Sequence, residues 1–150
     1  MPRQMPPLGK KFVWRANDAL LLAQAGDLAA TQGQTLWHFS RVELLYELAY
    51  LKMFMEWERF LEESLLRYLC GYVSPYGMPR PNSGSFCATL ASARTALLGG
   101  AAYILWYDPN RVATRARRHL VDCPHEAVIA SNSTRLIHLA AIRRGCPGIC

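Results

Sequence analysis

Residues 36–73 decide the fold of this chain, and they read LWHFSRVELLYELAYLKMFMEWERFLEESLLRYLCGYV. The stretch contains no proline, and its first glycine is Gly71. Glycine and proline are the residues that interrupt helices, whereas the leucine, methionine, glutamate and arginine that recur here favour them. The sequence therefore predicts one very long helix.

The charged residues of this helix share one face when the stretch is wound at about 100° per residue. Several of them are four residues apart with opposite charge, which predicts a solvated stripe. The remaining circumference is mostly apolar, so we expect either the central helix of a bundle or a helix that partly faces a second subunit. The stripe comprises Arg41, Lys52, Glu56, Arg59, Glu63 and Arg67, and one apolar side comprises Leu44, Leu48, Leu51, Met55 and Leu66.

The N-terminal residues 1–11 contain three prolines and a glycine, which predicts a flexible lead-in. Asn17 is a suitable N-cap, and we predict a helix that starts there and continues through Leu28. Residues 12–150 are predicted to form a single domain, since a chain of 150 residues is long enough for one sizeable core.

Proline and glycine clusters also mark the later elements. Residues 74–85 predict a loop, and Gly99 with Gly100 predicts the end of a short helix. Asp108 followed by Pro109 is typical of a helix start. The segment 101–107 fits either a buried strand or a helical turn. Further helices are predicted over residues 86–98, 108–120, 124–130 and 134–144. The predicted fold class is all-α, a helical bundle around one long central helix.

Composition restricts the class of protein. Hydrophobic residues make up 51% of the chain and charged residues 19%, which excludes wholesale disorder. No apolar run reaches the roughly 20 residues of a membrane span, and the N-terminus lacks the apolar core of a secretory signal. We therefore expect a cytoplasmic protein with no membrane partner. The net charge of +6 comes from an excess of arginine, which suits contacts with phosphate or carboxylate.

The five cysteines are odd in number and include no C-x-x-C pair, so we expect reduced thiols. Cys123, His125, Cys146 and Cys150 could be combined into a zinc site, but structural zinc usually pairs its ligands at closer, repeated spacing. We therefore predict no metal and no cofactor.

Three glutamates lie off the charged stripe and among apolar residues: Glu47, Glu58 and Glu62. An acid on such a face needs a partner. It either forms a structural ion pair with an arginine of another helix, or orients an arginine that binds substrate. Glu58 and Glu62, one turn apart, are the better candidates.

A second cationic group lies on the predicted helix after Pro109, where Arg111, Arg115 and Arg118 share a face with Arg117 and His119 nearby. The face is either solvated or able to follow a phosphate backbone. No aromatic residue alternates with these arginines, so stacking on single-stranded bases is not indicated.

Four segments, in this order, resemble the HEPN superfamily of all-helical domains, many of which are ribonucleases of toxin–antitoxin and anti-phage systems. The resemblance covers roughly residues 37–144 and rests on order rather than on one unique motif. The segments are FMEWERFLE at 54–62, AAYILWYDP at 101–109 with Val112 and 115–117, SNSTRL at 131–136 and AAIRR at 140–144.

The resemblance implies a catalytic arginine near the end of a late helix, followed four to six residues later by a histidine. Ile142 introduces Arg143 and Arg144 at the matching place, but the chain continues GCPGIC without a histidine. We therefore expect a C-terminally incomplete HEPN-like domain. His138 precedes the arginines and could replace the missing base only if the helix end folded back.

The resemblance implies RNA cleavage without metal, in which a base activates the 2′-hydroxyl and an arginine stabilises the phosphorane. Loss of the base predicts impaired catalysis, so the predicted catalytic set is Arg143, Arg144, Glu58 (as partner of an arginine) and His138. The predicted partners are RNA, an antitoxin or other protein, and a second copy in a homodimer. The alternatives are a non-enzymatic dimerisation or protein-interaction module, and a nucleic-acid-binding protein without catalysis.

Overall fold

The computed structural model describes residues 3–31, 39–74, 80–101, 103–104, 106 and 108–121. Within them the chain is all-α, as predicted, and the long helix is confirmed. The helices are α1 (Leu8–Thr31), α2 (Phe39–Leu69), α3 (Leu90–Leu98) and α4 (Pro109–His119), and two short strands are β1 (Arg3–Gln4) and β2 (Tyr72–Val73). The helices predicted over 124–130 and 134–144 lie outside the described residues.

The chain divides into two compact units. Pro6–Ser64 forms one unit, which we call the hairpin unit because α1 and most of α2 make it up. The described parts of Met1–Met5 and Leu65–Cys150 form the other, which we call the α3–α4 unit. The prediction that residues 12–150 form a single domain stays a prediction.

In the hairpin unit, α1 and α2 run antiparallel and are joined by ion pairs. The Lys11 ammonium lies 4.0 Å from the Glu63 carboxylate, and Arg15 bonds to Glu56 at 3.0 Å. Asp18 pairs with Lys52 at 3.6 Å. As the residue number rises along α1, the number of the partner on α2 falls, which fixes the antiparallel direction.

The prediction that the charged stripe of α2 is solvated is wrong for the part of it that faces α1. The Glu56 side chain is only 16% exposed, since it lies against α1 and also bonds to Arg59 at 3.2 Å. The physical reason is that Lys11, Arg15 and Asp18 are spaced four and three residues apart, so they share one face of α1 and meet opposite charges on α2.

Apolar and small side chains fill the contact between α1 and α2. Phe12 of α1 lies 5.8 Å from Trp57 and 5.3 Å from Phe60, measured between ring centroids. Farther along, Gly26 is so close to Tyr46 that an added Cβ would lie 3.2 Å from the ring. Tyr46 donates to Asp27, and this hydrogen bond, ahead of burial and charge, raises the pKa of the phenol.

One predicted apolar side of α2 is half-exposed in the described part of the chain. Leu44, Leu48, Leu51 and Met55 are each between 45% and 55% exposed. The predicted helical bundle is confirmed, since α2 packs against α1, but the described residues cover these positions only in part. The other possibility left open by the sequence, a face for a second subunit, remains a prediction.

The first helix begins earlier than predicted, at Leu8 rather than at Asn17, so residues 8–11 are not a flexible lead-in. The Lys11 N–H donates to the Pro7 carbonyl at 3.1 Å, which is the first turn of this helix. Proline is tolerated there, because its missing N–H would have no helical partner and its fixed φ suits the helix.

In the α3–α4 unit, Gly71 ends α2 with a φ of 72°, a conformation that favours glycine. Strand β2 then pairs in parallel with β1, with Arg3 opposite Tyr72. Helix α2 therefore stops at Leu69, four residues or about one turn before the predicted end at residue 73. The most deeply buried large side chains of this unit are Leu69, Leu97 and Val112.

Helix α3 begins at Leu90, four residues later than the predicted segment. Thr89 is its N-cap. The Thr89 hydroxyl accepts from the Ser92 N–H at 3.1 Å, and the Ser92 hydroxyl accepts from the Thr89 N–H at 3.3 Å. This reciprocal pair satisfies two N–H groups that a helix start leaves unbonded. Gly99, at φ 57°, ends the helix as predicted.

Candidate functional site: an arginine-lined groove

A groove of about 420 Å³ lies between the end of α3 and one face of α4. Its α4 side carries the cationic residues, and its α3 side consists of small and apolar residues. The groove is lined by Ala96, Leu97, Leu98, Gly99, Ala101, Asn110, Arg111, Thr114, Arg115, Arg118 and His119. We call this the arginine groove.

The amphipathic sequence of α4 turns the arginines toward this groove. Val112 and Ala116, four residues apart, are 1% and 2% exposed and anchor the helix in the core. Arg111, Arg115 and Arg118 have the same helical spacing on another face and line the groove. The helix is therefore held by one face and presents its cations on the other.

The start of α4 is fixed by the predicted Asp108–Pro109 pair. The Asp108 carboxylate accepts from the Asn110 N–H at 3.0 Å and the Arg111 N–H at 3.2 Å. The same carboxylate lies 3.2 Å from the Arg111 guanidinium, and the Arg111 side chain is 64% exposed. Asp108 thus offsets part of the Arg111 charge, although it does not line the groove.

Arg115 joins the two walls of the groove. Its guanidinium donates to the Leu97 carbonyl near the end of α3. A cation at this place stabilises the carbonyl groups at a helix end, which carry partial negative charge. Arg115 therefore has a structural role, whereas Arg111 and Arg118 are the exposed arginines of the groove.

The end of α4 is held by the segment around Asn82. The Asn82 side-chain amide donates to the Arg118 carbonyl at 2.7 Å and to the Arg117 carbonyl at 3.2 Å, and its backbone N–H donates to the His119 carbonyl at 2.8 Å. These bonds satisfy carbonyl groups that a helix end leaves without partners. The described part of the predicted loop, residues 80–85, therefore fixes the last turn of α4.

His119 is the imidazole of the groove. Its pKa is lowered first by burial and then by the charges of Arg118 and Arg115. The Ser85 hydroxyl lies 3.5 Å from its Nδ1. His119 is therefore predominantly neutral at pH 7, and a neutral imidazole can accept a proton or a hydrogen bond.

The arrangement suits an extended anion. Arg111 and Arg118 are seven residues apart, or about 10 Å along the helix axis, so the two guanidinium groups can contact separate anionic groups. Each guanidinium presents a planar set of N–H donors that matches phosphate oxygens. No acidic side chain and no phenylalanine, tyrosine or tryptophan is among the lining residues, so the groove offers charge but no large aromatic ring for base stacking.

Of the predicted catalytic set, only Glu58 lies in the described part of the chain. Arg143, Arg144 and His138 lie outside it, as do Cys123, His125, Cys146 and Cys150, the residues considered as zinc ligands. Glu58 and Glu62 are half-buried on α2, and Glu47 is exposed. The roles of Arg143, Arg144, Glu58 and His138 stay predictions.

The sequence indicates that His119 lies near the arginine face of α4, but it does not predict that His119 lines a groove. His119 follows Arg115 by four residues and so shares its face of α4. This face borders a groove only because the end of α3 lies beside it. The spacing of residues within α4 contains no information about the position of α3.

Within the described residues no group of three or more histidine, cysteine, aspartate or glutamate side chains could hold a metal ion. The described helices also include none that is long and apolar enough to cross a membrane. No family model matches the sequence, and comparison with curated proteins and with solved structures found no match either.

Proposed function

We propose that this chain is an RNA-binding protein, related in design to the HEPN ribonucleases and impaired in catalysis, and that it contacts the phosphate backbone through the arginine groove. The observation that carries this proposal is the groove itself, where Arg111, Arg115, Arg118 and His119 line one continuous space without an acidic neighbour among the lining residues. The HEPN resemblance and the net charge of +6 support the same ligand.

The groove favours recognition of backbone rather than of bases. Arginine contacts to phosphate position a nucleic acid without reading its sequence. Base recognition on single strands usually relies on stacking against large aromatic rings, and no phenylalanine, tyrosine or tryptophan is among the lining residues. Binding is therefore expected to be insensitive to sequence and to weaken as salt rises.

The direct test is the affinity for a fluorescent single-stranded RNA, measured by anisotropy. Arg118→Gln should weaken binding about tenfold, the effect of losing roughly 1.4 kcal/mol from a charge-assisted contact. Arg59→Gln is the matched control, because Arg59 on α2 is also exposed and does not line the groove. Equal affinities of the two variants would overturn the role of the groove.

Cleavage is expected to be weak or absent and unaffected by chelators. Residues 145–150 contain no histidine at the positions where the HEPN resemblance implies one, and loss of a general base costs on the order of 10²–10⁴ in rate. Two histidines, His138 and His119, could supply a general base in place of the missing one, and substitution of each distinguishes them. Residual cleavage lost in His138→Ala would assign the base to the predicted catalytic set, whereas loss in His119→Ala alone would assign it to the arginine groove.

A cytoplasmic location and a partner protein such as an antitoxin belong to the same proposal. The free, buried thiols Cys70 and Cys87 support a reducing compartment. The alternative function, a non-enzymatic interaction module, is supported by a different observation: the half-exposed row Leu44, Leu48, Leu51 and Met55 on α2. Exposed apolar rows of this kind are typical of protein-binding surfaces.

A further inference from the structure

Two of the cysteines, Cys70 and Cys87, lie in the described part of the α3–α4 unit, and both are free and buried. Their side chains belong to residues that are 3% and 9% exposed. Neither cysteine is among the residues that line the arginine groove. The pair therefore consists of two nucleophilic side chains to which the proposed function gives no role.

A backbone hydrogen bond places the two cysteines side by side. The Cys87 N–H donates to the Leu69 carbonyl at 2.9 Å, and this carbonyl belongs to the peptide group that joins Leu69 to Cys70. With standard bond lengths, the Cα atoms of Cys70 and Cys87 are then at most about 7 Å apart, and closer at ordinary bond angles. Disulfides span Cα separations of about 4.4–6.8 Å, so the backbone brings the pair into the range that a disulfide requires.

The two thiols are also close enough to influence each other. Burial, ahead of the charge of Cys87, raises the pKa of the Cys70 thiol. The interaction between two charges falls as their separation grows, so this influence requires neighbouring sulfur atoms. The side chains, as well as the backbone, are therefore placed together.

The segment that contains Cys87 also holds the end of α4. The Cys87 thiol donates to the Ser85 carbonyl at 3.5 Å, and the Ser85 hydroxyl lies 3.5 Å from the Nδ1 atom of His119. Asn82, in the same segment, donates to carbonyl groups in the last turn of α4. A covalent bond between Cys70 and Cys87 would therefore join the end of α2 to the segment that fixes α4.

We infer that Cys70 and Cys87 are a modification site, at which oxidised glutathione converts the two thiols into an intramolecular disulfide. The disulfide ties the end of α2 to the segment that holds α4. In a reducing compartment both thiols are free, and the disulfide forms when oxidised glutathione accumulates. The inference goes beyond the proposed function and does not depend on RNA binding.

The reaction consists of two thiol–disulfide exchanges. The Cys87 thiol, the more exposed of the two, loses its proton, and its sulfur attacks oxidised glutathione to form a mixed disulfide and release one glutathione thiolate. The Cys70 thiol then loses its proton, and its sulfur attacks the Cys87 sulfur, forms the Cys70–Cys87 bond and expels the second glutathione thiolate. The two cysteines lose two electrons, oxidised glutathione gains them, and the two protons end on the released glutathione thiolates.

The first test is to refold the full chain from denaturant in excess oxidised glutathione, so that exchange takes place before the thiols are buried. Cys123→Ser, Cys146→Ser and Cys150→Ser are introduced together, which leaves Cys70 and Cys87 as the cysteines of the chain. We expect an intact mass lower by two hydrogen atoms, with peptide mapping that links Cys70 to Cys87. A folded chain with two free thiols, or with glutathione attached to each thiol, would overturn the inference.

The second test compares the thermal midpoints of the oxidised and reduced forms of this triple variant. A disulfide between residues that are already neighbours restricts the unfolded chain without straining the folded one, so the oxidised form should melt about 5–10 °C higher. Cys87→Ala in the same triple variant is the matched control and should abolish the increase. An oxidised form that melts at or below the midpoint of the reduced form would contradict the placement of the two thiols.

Discussion

At the scale of single residues, Gly71 is favoured for two separate reasons. Its φ of 72° lies in the left-handed region, and an added Cβ would lie 3.1 Å from the Phe86 ring. Backbone conformation and close packing therefore both favour glycine at the point where α2 ends and β2 begins.

Gly71→Ala should lower the free energy of unfolding by about 1–2 kcal/mol, from backbone strain and from the displaced Phe86 ring. Gly84→Ala is the matched control, since Gly84 has a φ of 87° but nothing within 4 Å of its added Cβ. The difference between the two variants in chemical denaturation measures the contact with Phe86. Equal losses would show that the ring adapts without cost.

His119 predicts a pH dependence of stability. Its pKa in the folded chain is lowered by burial and by Arg118 and Arg115, so the unfolded chain takes up the proton first as pH falls. The free energy of unfolding should therefore be fully present above the ordinary histidine pKa and decline as pH drops through and below it. His119→Gln should reduce this decline between pH 7 and pH 5, as followed by denaturation midpoints. An identical decline in the variant would assign it to other groups.

At the scale of helices, the ion pairs between α1 and α2 differ in burial and therefore in value. The side chains of Arg15 and Glu56 are 26% and 16% exposed, whereas those of Lys52 and Asp18 are 42% and 47% exposed. Solvent screens exposed pairs, and an acid left half-buried without its partner is costly.

Arg15→Met should therefore destabilise the chain by about 1–3 kcal/mol, because Glu56 loses a charge-assisted hydrogen bond in a sheltered place. Lys52→Met, which breaks the exposed pair, should cost less than about 1 kcal/mol. Urea denaturation of the two variants compares them directly. A larger loss for Lys52→Met would contradict the account of the hairpin unit.

Local signals account for the elements that the sequence predicted well. The long helix follows from a stretch without helix breakers, and the start of α4 follows from the Asp108–Pro109 pair. The start of α1 was mistaken because Pro6 and Pro7 were interpreted as helix breakers, although proline is compatible with a first turn.

Long-range pairing could not be predicted in the same way. Arg15 and Glu56 are 41 residues apart, and nothing in either neighbourhood specifies the other. The spacing of Arg111, Arg115 and Arg118 predicts that they share a face of α4. The groove beside this face exists only because the end of α3 lies there. For the same reason the charged stripe of α2 was predicted to be solvated, when part of it faces α1.

At the scale of the whole molecule, the arginine groove and the half-exposed apolar row of α2 belong to different units. The groove lies in the α3–α4 unit, and Leu44, Leu48, Leu51 and Met55 lie in the hairpin unit. A substitution in the apolar row is therefore expected to leave RNA binding intact, and Leu48→Gln should retain the RNA affinity of the unaltered chain.

The central claim, that RNA is held through its phosphates by the arginine groove, is tested most directly by the salt dependence of RNA affinity. For single strands, the logarithm of the association constant falls with the logarithm of salt concentration by about 0.7 for each phosphate contact. The Arg111→Gln, Arg118→Gln double variant should therefore show a slope shallower by about 1.4 than the unaltered chain, if each arginine makes one contact. A double variant with the same affinity and the same slope would contradict the claim.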